Sequence, residues 1–450
     1  MEKRSQVKLV SYNINNVEIC ASAARISTTS GNAIEIFEKS KGNEKNQELI
    51  KKVLSSGHAS ITEHAIFTFA LKDVSAFVEQ FFIECRLASF TVKSRRYVDF
   101  SKLGYHIPSD LKGENLNQYC KYMDNLFCAY NIMLENGIPK EDARFLLPYS
   151  FHSNFYCTCN ARELVHIIYD IKYGRGSDIP ELQDLANQII EQVSEVFPCI
   201  NFELETTLIK NNITKPQVKE IKIENTLSFI ESDKIGTVSL INKPSEPIKI
   251  LNMAYNLNHT DTNGNLELKK YIASKRPREL EQLSYSFLIS NITLSGITHM
   301  VRHRMQSIII PSIQGIEHSK FIVPDTIKNN SKLFEIYKET LEESNKMIKQ
   351  MSQSETLRYY NYYYALSGNL MDIMTTINAR ELMHFIKLRT CKRAQWEIRN
   401  IAIEMLKHLR TSCPELFNYF GPSCFIDRKC PEGNMTCGEI EEVTKKFQFL

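Results

Sequence analysis

Two guanidiniums flank an imidazole at Arg302-His303-Arg304. Permanently charged planar donors beside a group that titrates near neutral pH suit a phosphate or an anionic ring system. Taken alone, the triplet reads as a solvated basic turn. It does not stand alone. Ser94-Arg95-Arg96-Tyr97 sets a hydroxyl, two cations and an aromatic ring in a row, and Gly57-His58-Ala59-Ser60-Ile61-Thr62-Glu63-His64 holds two histidines. A further cation, Arg389, closes a stretch of helical periodicity. Near the end of the chain Cys413, Cys424, Cys430 and Cys437 crowd together, without the close pairs of a zinc ribbon. Thiolates so grouped suit zinc or an iron–sulfur cluster, and four plain thiols fit the same spacing.

The elements that must position these groups occur twice. Asn-Ala-Arg-Glu-Leu stands at 160–164 and again at 378–382. Arg86-Leu-Ala-Ser89, followed by Ser94, precedes Arg304-Met-Gln-Ser307, followed by Ser312, by the same offset. Two segments in one register point to a tandem duplication, and the period is far beyond the roughly 20–50 residues of a solenoid unit. Residues 1–212 form the first copy, 213–412 a connection and the second copy, and 413–450 a cysteine-rich tail. Apolar alternation predicts strands at 7–12 and 65–71. Three- and four-residue spacing predicts helices at 47–55, 74–83, 116–136, 160–169 and 181–196. The second copy repeats helices at 293–302, 331–351, 379–389 and 395–409, with a loop at 306–317. Short strands among long helices give an α/β (α+β) class.

The 450 residues have 43% hydrophobic and 24% charged side chains, the balance of a globular protein. A net charge of +3 argues for no nucleic acid or anionic membrane partner. No apolar run approaches the roughly 20 residues of a membrane span. The N-terminal segment lacks the apolar core of a signal peptide, and Cys128, Cys157, Cys159 and Cys199 sit in apolar stretches, so a reducing cytoplasm is expected.

The two copies differ where chemistry is at stake. Against Arg302-His303-Arg304 the first copy has Glu84-Cys85-Arg86, and against Arg389 it has Ile171. Against Ser94-Arg95-Arg96-Tyr97 the second copy has Ser312-Ile313-Gln314-Gly315. Arg302-His303-Arg304-x-x-Ser307 together with Ser94-x-Arg96-Tyr97 resembles the signature of flavin-dependent thymidylate synthases. The Gly57–His64 word, the Asn378–Arg389 stretch and Ala394-Gln395-Trp396-Glu397-Ile398 are similar to that family too.

The resemblance implies a small α/β fold that works as a homotetramer with sites between subunits. It implies FAD as cofactor, dUMP as substrate, and NADPH and methylenetetrahydrofolate as cosubstrates. Carried over residue by residue, it gives FAD contacts at His58, Ser60, Arg302, His303, Arg304, Asn378, Arg380 and His384. Nucleotide contacts fall at Ser94, Arg96, Arg144, His299, Arg302 and Arg389, with Arg389 the catalytic cation. Val92, Ile309, His384 and Arg393 depart from the family pattern, which keeps open a different pyrimidine nucleotide or one-carbon donor, or a non-catalytic flavin- or nucleotide-binding scaffold. Asn160, Arg162, Asn378 and Arg380 have a structural alternative, capping helices and pairing across the duplicated interface. The expected particle is a homodimer that imitates the tetramer, with one good composite site type and a dead reciprocal one.

Overall fold

The computed structural model describes residues 4–210, 224, 226–258, 268–272, 274 and 276–450. Two four-stranded antiparallel sheets carry the repeat. The first joins β1 (Gln6–Tyr12), β2 (Ile66–Ser75), β3 (Ser89–Val92) and β4 (His152–Asn160) in the order β1-β2-β4-β3. After β5 (Ser228–Glu231), the second joins β6 (Thr237–Asn242), β7 (Ser284–Thr293), β8 (Gln306–Ile309) and β10 (Leu370–Asn378) in the equivalent order β6-β7-β10-β8. β5 pairs in parallel with β9 (Lys320–Val323).

Side-chain period explains the central strands. Phe67, Phe69 and Leu71 on β2, and Tyr285, Phe287 and Ile289 on β7, are buried on the core face. The duplication extends to irregularities. Thr68 meets Thr158 at 3.0 Å on one sheet, and Ser286 meets Thr376 at 2.8 Å on the other. Asp73 and Asn291, at equivalent places in the two repeats, both adopt a left-handed backbone, with φ of 50° and 58°. A bulge accompanies each, between Leu71 and Val74 in the first sheet and between Met371 and Ile373 on the facing strand in the second.

The chain divides into two compact units, not cut at the repeat boundary. Unit 1 comprises Met1–Glu135, Leu147–Glu220 and Met347–Tyr364; unit 2 comprises Asn136–Leu146, Ile221–Lys346 and Ala365–Leu450. Each unit therefore includes a short segment from the other repeat. In unit 2 Phe145 packs with Ile235, Ile322 and Leu370, with Trp396 against them. In unit 1 the Tyr359–Tyr364 segment supplies Tyr362, 4.7 Å from Phe77 between ring centres, and Tyr363.

A buried carboxylate starts the same helix in each unit. Glu181 accepts from the Ser75 backbone N–H at 2.8 Å and from its hydroxyl at 2.6 Å; Glu397 does so from Thr293 at 2.7 and 2.6 Å. Their electrostatics diverge. Burial pushes Glu181 up, but His106 and hydroxyls of Ser5, Ser75 and Tyr363 outweigh it, and its pKa ends lowered. Glu397 is pushed up to about 7, by burial first, with Asp142 adding to it and Thr293 and Arg144 opposing. The folded state thus holds the Glu397 proton more tightly than the unfolded chain. Its stability penalty is absent below the ordinary carboxylate range and grows as pH rises toward the folded value. Glu397→Gln should therefore gain thermal stability over the parent at about pH 8 and little at about pH 5. A melting-temperature gap that stays constant across that window would refute the assignment.

Candidate active site

Unit 2 assembles the basic triplet at one spot. Thr293 caps the helix Leu294–Met300 through Gly296 N–H at 2.8 Å, and Arg302-His303-Arg304 follows the helix end directly. Gln306 fixes that end by donating to the Met300 carbonyl at 2.6 Å, while accepting from the Thr375 hydroxyl at 2.7 Å. His303 is buried, between an exposed Arg302 and an exposed Arg304. From the other side comes the helix Ala379–Arg389, started by Asn378, whose side chain accepts from Glu381 N–H at 2.9 Å.

Glu381 stands 3.0 Å from His303 Nδ1, and Arg389 Nε donates to His303 Nε2 at 2.9 Å. A guanidinium has only donors, so Nε2 must be the acceptor. The ring proton then sits on Nδ1 and points to the Glu381 carboxylate. Burial lowers the His303 pKa, Arg389 and His384 lower it further, and Glu381 opposes them. These contacts favour the neutral imidazole with its proton on Nδ1, and the Phe385 ring is 4.9 Å away and the His384 ring 5.7 Å. Arg389 is thereby held at its Nε edge at the end of a rigid chain of contacts.

The equivalent place in unit 1 is built of other chemistry. Glu84 pairs with Arg175 at 2.5 Å, Arg175 pairs with Asp170 at 2.9 Å, and its guanidinium lies 4.9 Å over Phe81. Cys85, in the position of His303, is a thiol raised well above its ordinary pKa by burial first and by Glu163 next. The cation satisfies two neighbouring carboxylates, and the imidazole is gone. This is a structural ion-pair cluster where unit 2 has an imidazole–guanidinium couple.

The remaining expected residues are distributed as follows. Arg144 falls in unit 2, buried, its Nε donating to the Glu141 carbonyl at 3.1 Å. His299 is buried on the helix before the triplet, and His384 is exposed. Asn378 serves as the cap described above and Arg380 pairs with Glu281, as Asn160 and Arg162 do with Glu163 and Glu63 in unit 1. His58, Ser60, Ser94 and Arg96 lie in unit 1. His58 and Ser60 are exposed around the short turn Ala59–His64. Ser94 Oγ accepts from Arg96 N–H at 3.3 Å, and the Arg96 guanidinium lies 5.5 Å from the Tyr97 ring. Its neighbour Arg95 is buried and paired with Glu79 at 2.6 Å, which marks it as structural.

Sequence reasoning missed Glu381 and Arg175. Glu381 was hidden because the repeated word contains it in both copies, where its counterpart Glu163 has no histidine to orient. Arg175 lies beyond the segments compared.

A flavin needs cations for its phosphates and an apolar surface for its ring. Arg302 and Arg304 are exposed cations of the first kind, and Met305, Ile309 and Leu388 are exposed apolar side chains of the same unit. The tail set is corrected. Cys413 is buried at a helix end, 3.7 Å from Glu415, while Cys424, Cys430 and Cys437 line a separate cleft. Among the described residues no three His, Cys, Asp or Glu side chains are placed so as to hold a metal ion. Among the described residues no helix is long and apolar enough to cross a membrane.

Known proteins bear on this geometry. The family described as thymidylate synthase complementing protein matches residues 8–199 and 239–415, once per repeat. The flavin-dependent thymidylate synthase of Clostridium tetani is 31% identical over 220 residues, covering 45% of this chain and 87% of that protein. The one from Geobacter sulfurreducens is 31% identical over 190 residues, covering 41% and 80%. A crystal structure of a UMP/dUMP methylase PolB from Streptomyces cacaoi, bound with 5-Br dUMP, matches 46% of this chain and 96% of that one at 23% identity and a TM-score of 0.38. Matched along both of its repeats, the chain belongs to the thymidylate synthase complementing protein family, the flavin-dependent thymidylate synthases, as a tandem duplication.

Proposed function

We propose that this protein converts dUMP to dTMP by flavin-dependent reductive methylation, with methylenetetrahydrofolate as carbon donor and NADPH as reductant. The observation that carries the reading is the Glu381–His303–Arg389 chain in unit 2, whose counterpart in unit 1 is the Glu84–Arg175–Asp170 ion-pair cluster. Bound FAD supplies reducing equivalents to the transferred carbon. The protein supplies binding and field. Arg389, held by His303, stabilises negative charge on the pyrimidine and so activates its C5 carbon. Ser94 and Arg96 of the first repeat, with Arg144, hold the nucleotide phosphate. Arg302 and Arg304 hold the flavin. The productive site is composite, and its reciprocal, with Glu84, Cys85, Ile171 and Gln314, binds neither ligand well. The repeats 1–212 and 213–412 then act as the two kinds of subunit, and two chains make a homodimer that stands in for the family's tetramer. The tail, 413–450, stands outside the repeat.

One FAD per chain is the expected stoichiometry, with dTMP formed from dUMP only when folate and NADPH are both present. Two FAD per chain would mean that both site types work and would overturn the composite reading. His384 beside the His303 ring and Ile309 on exposed surface favour one alternative, a related pyrimidine nucleotide or another one-carbon donor. A panel of nucleotides and donors read by mass spectrometry separates the two.

A further inference from the structure

Cys413 leaves the tail set, and a cysteine outside the tail takes its place. Cys391 lies in the turn after the helix Ala379–Arg389, where Ala394 N–H bonds back to its carbonyl at 2.9 Å. It lines one cleft together with Cys424, Cys430 and Cys437, and Lys392 and Arg393 share the lining. We propose that Cys391, Cys424, Cys430 and Cys437 are the four thiolate ligands of a structural zinc ion that ties the tail to the end of the helix carrying Arg389.

The burial pattern favours a ligand over simple packing. Through residues 427–438, the chain is exposed at every position except Cys430 and Cys437, which are half-buried. The side chains this loop turns inward are thiols, with no apolar anchor among them. Left-handed backbone at Arg428, Gly433 and Gly438 turns the chain before and after each cysteine. On either side the tail is fastened by other means. Lys387 pairs with Asp427 at 2.6 Å, Lys392 with Glu439, and Val443 and Phe447 are buried from the last helix, Ile440–Gln448. Arg410 donates to the carbonyls of Phe417, Phe420 and Phe447 at 3.3, 2.9 and 2.7 Å. The loop between these fastenings is left for the thiols to organise.

The chemistry is balanced. Four thiols each release a proton and coordinate Zn²⁺, which leaves a site of net charge −2 beside Lys392 and Arg393. A set of four sulfurs selects zinc among the common divalent ions, in tetrahedral geometry. As placed, no three of the sulfurs are within coordinating reach, so the ion draws them together. Cys430 and Cys437 can travel, because the residues around them bury little.

The test is metal analysis of the full chain purified without chelator, with about one zinc per chain expected. Cys391→Ser and Cys430→Ser should each lower zinc content at least about tenfold, while Cys413→Ser keeps it. Cobalt(II) exchanged into the parent should show the visible bands of a tetrahedral all-sulfur site. If Cys391→Ser does not fold, Cys430→Ser in the exposed loop and the cobalt spectrum still decide. Less than about a tenth of an equivalent of zinc in the parent, iron in its place, or equal loss from Cys413→Ser and Cys391→Ser would overturn the assignment.

Discussion

Arg389→Ala is expected to lower kcat on dUMP about 100- to 1,000-fold, with FAD still bound. The magnitude is that of losing one preorganised charge aimed at a developing anion, roughly 2.7–4 kcal/mol. Preorganisation is the reason to expect the upper part of the range. Arg389 Nε is fixed on His303 Nε2, His303 is fixed on Glu381, and Glu381 is part of the capped first turn of the same helix. The charge thus costs no reorganisation when the pyrimidine becomes anionic. Arg389→Lys keeps the charge but not the planar donor edge that His303 receives, so it should recover only part of the rate. Steady-state kinetics with flavin absorbance checks both. A normal kcat with a raised KM would show that Arg389 only binds substrate, and the catalytic assignment would fail.

The same chain of contacts predicts an effect of Glu381 that a plain cap would not show. With Gln at position 381 the His303 tautomer loses its charged acceptor and the helix cap is unaffected, since Asn378 bonds the backbone N–H. The loss should therefore appear in kcat and not in melting temperature.

Much of this was legible in the chain itself. The long helix Ser331–Met351 and the helix Ala379–Arg389 end where periodicity and capping residues place them. Strand β8 was not legible. Gln306-Ser-Ile-Ile309 reads as loop because it is short and lies at the sheet edge, with Ile309 exposed, so no alternation betrays it. Strand β3 is hidden for the same reason. The exchange of Asn136–Leu146 and Met347–Tyr364 between units is a tertiary fact with no local signature. It moves Arg144 from the company of Ser94 and Arg96 into the unit that holds Arg302 and Arg389. The tail failed through the same blindness. Spacing groups Cys413 with its neighbours in sequence, whereas the fold brings Cys391 to the cleft.

On the composite-site proposal, duplication lets the two repeats diverge without loss of the whole. In a homotetramer each subunit must carry both half-sites, because every copy has the same sequence. In one chain with two repeats, each half-site needs to be kept only once. On the same proposal, the first repeat is then at liberty to carry the Glu84–Arg175–Asp170 cluster in place of His and Arg, and the second to carry Gln314 in place of Arg. The backbone survives the exchange. Ser94 Oγ accepts from Arg96 N–H at 3.3 Å, and Ser312 Oγ accepts from Gln314 N–H at 3.3 Å. The same serine turn presents a cation in one repeat and a neutral amide in the other.

That matched pair of turns sets the second large effect. Arg96→Ala is expected to weaken dUMP binding about 10- to 150-fold, the equivalent of the roughly 1.5–3 kcal/mol of a hydrogen bond to a charged group. Gln314→Ala should change it less than about twofold, in line with an ordinary surface substitution. Both substitutions leave the serine turn intact, because it is made by backbone N–H and hydroxyl, so folding does not separate them. Isothermal titration of the flavin-loaded protein with dUMP measures the difference directly. The contrast should also shrink with salt, as phosphate recognition by a half-buried guanidinium is screened. Equal sensitivity at Arg96 and Gln314 would mean that both serine turns bind nucleotide, and the division of labour between the repeats would be wrong.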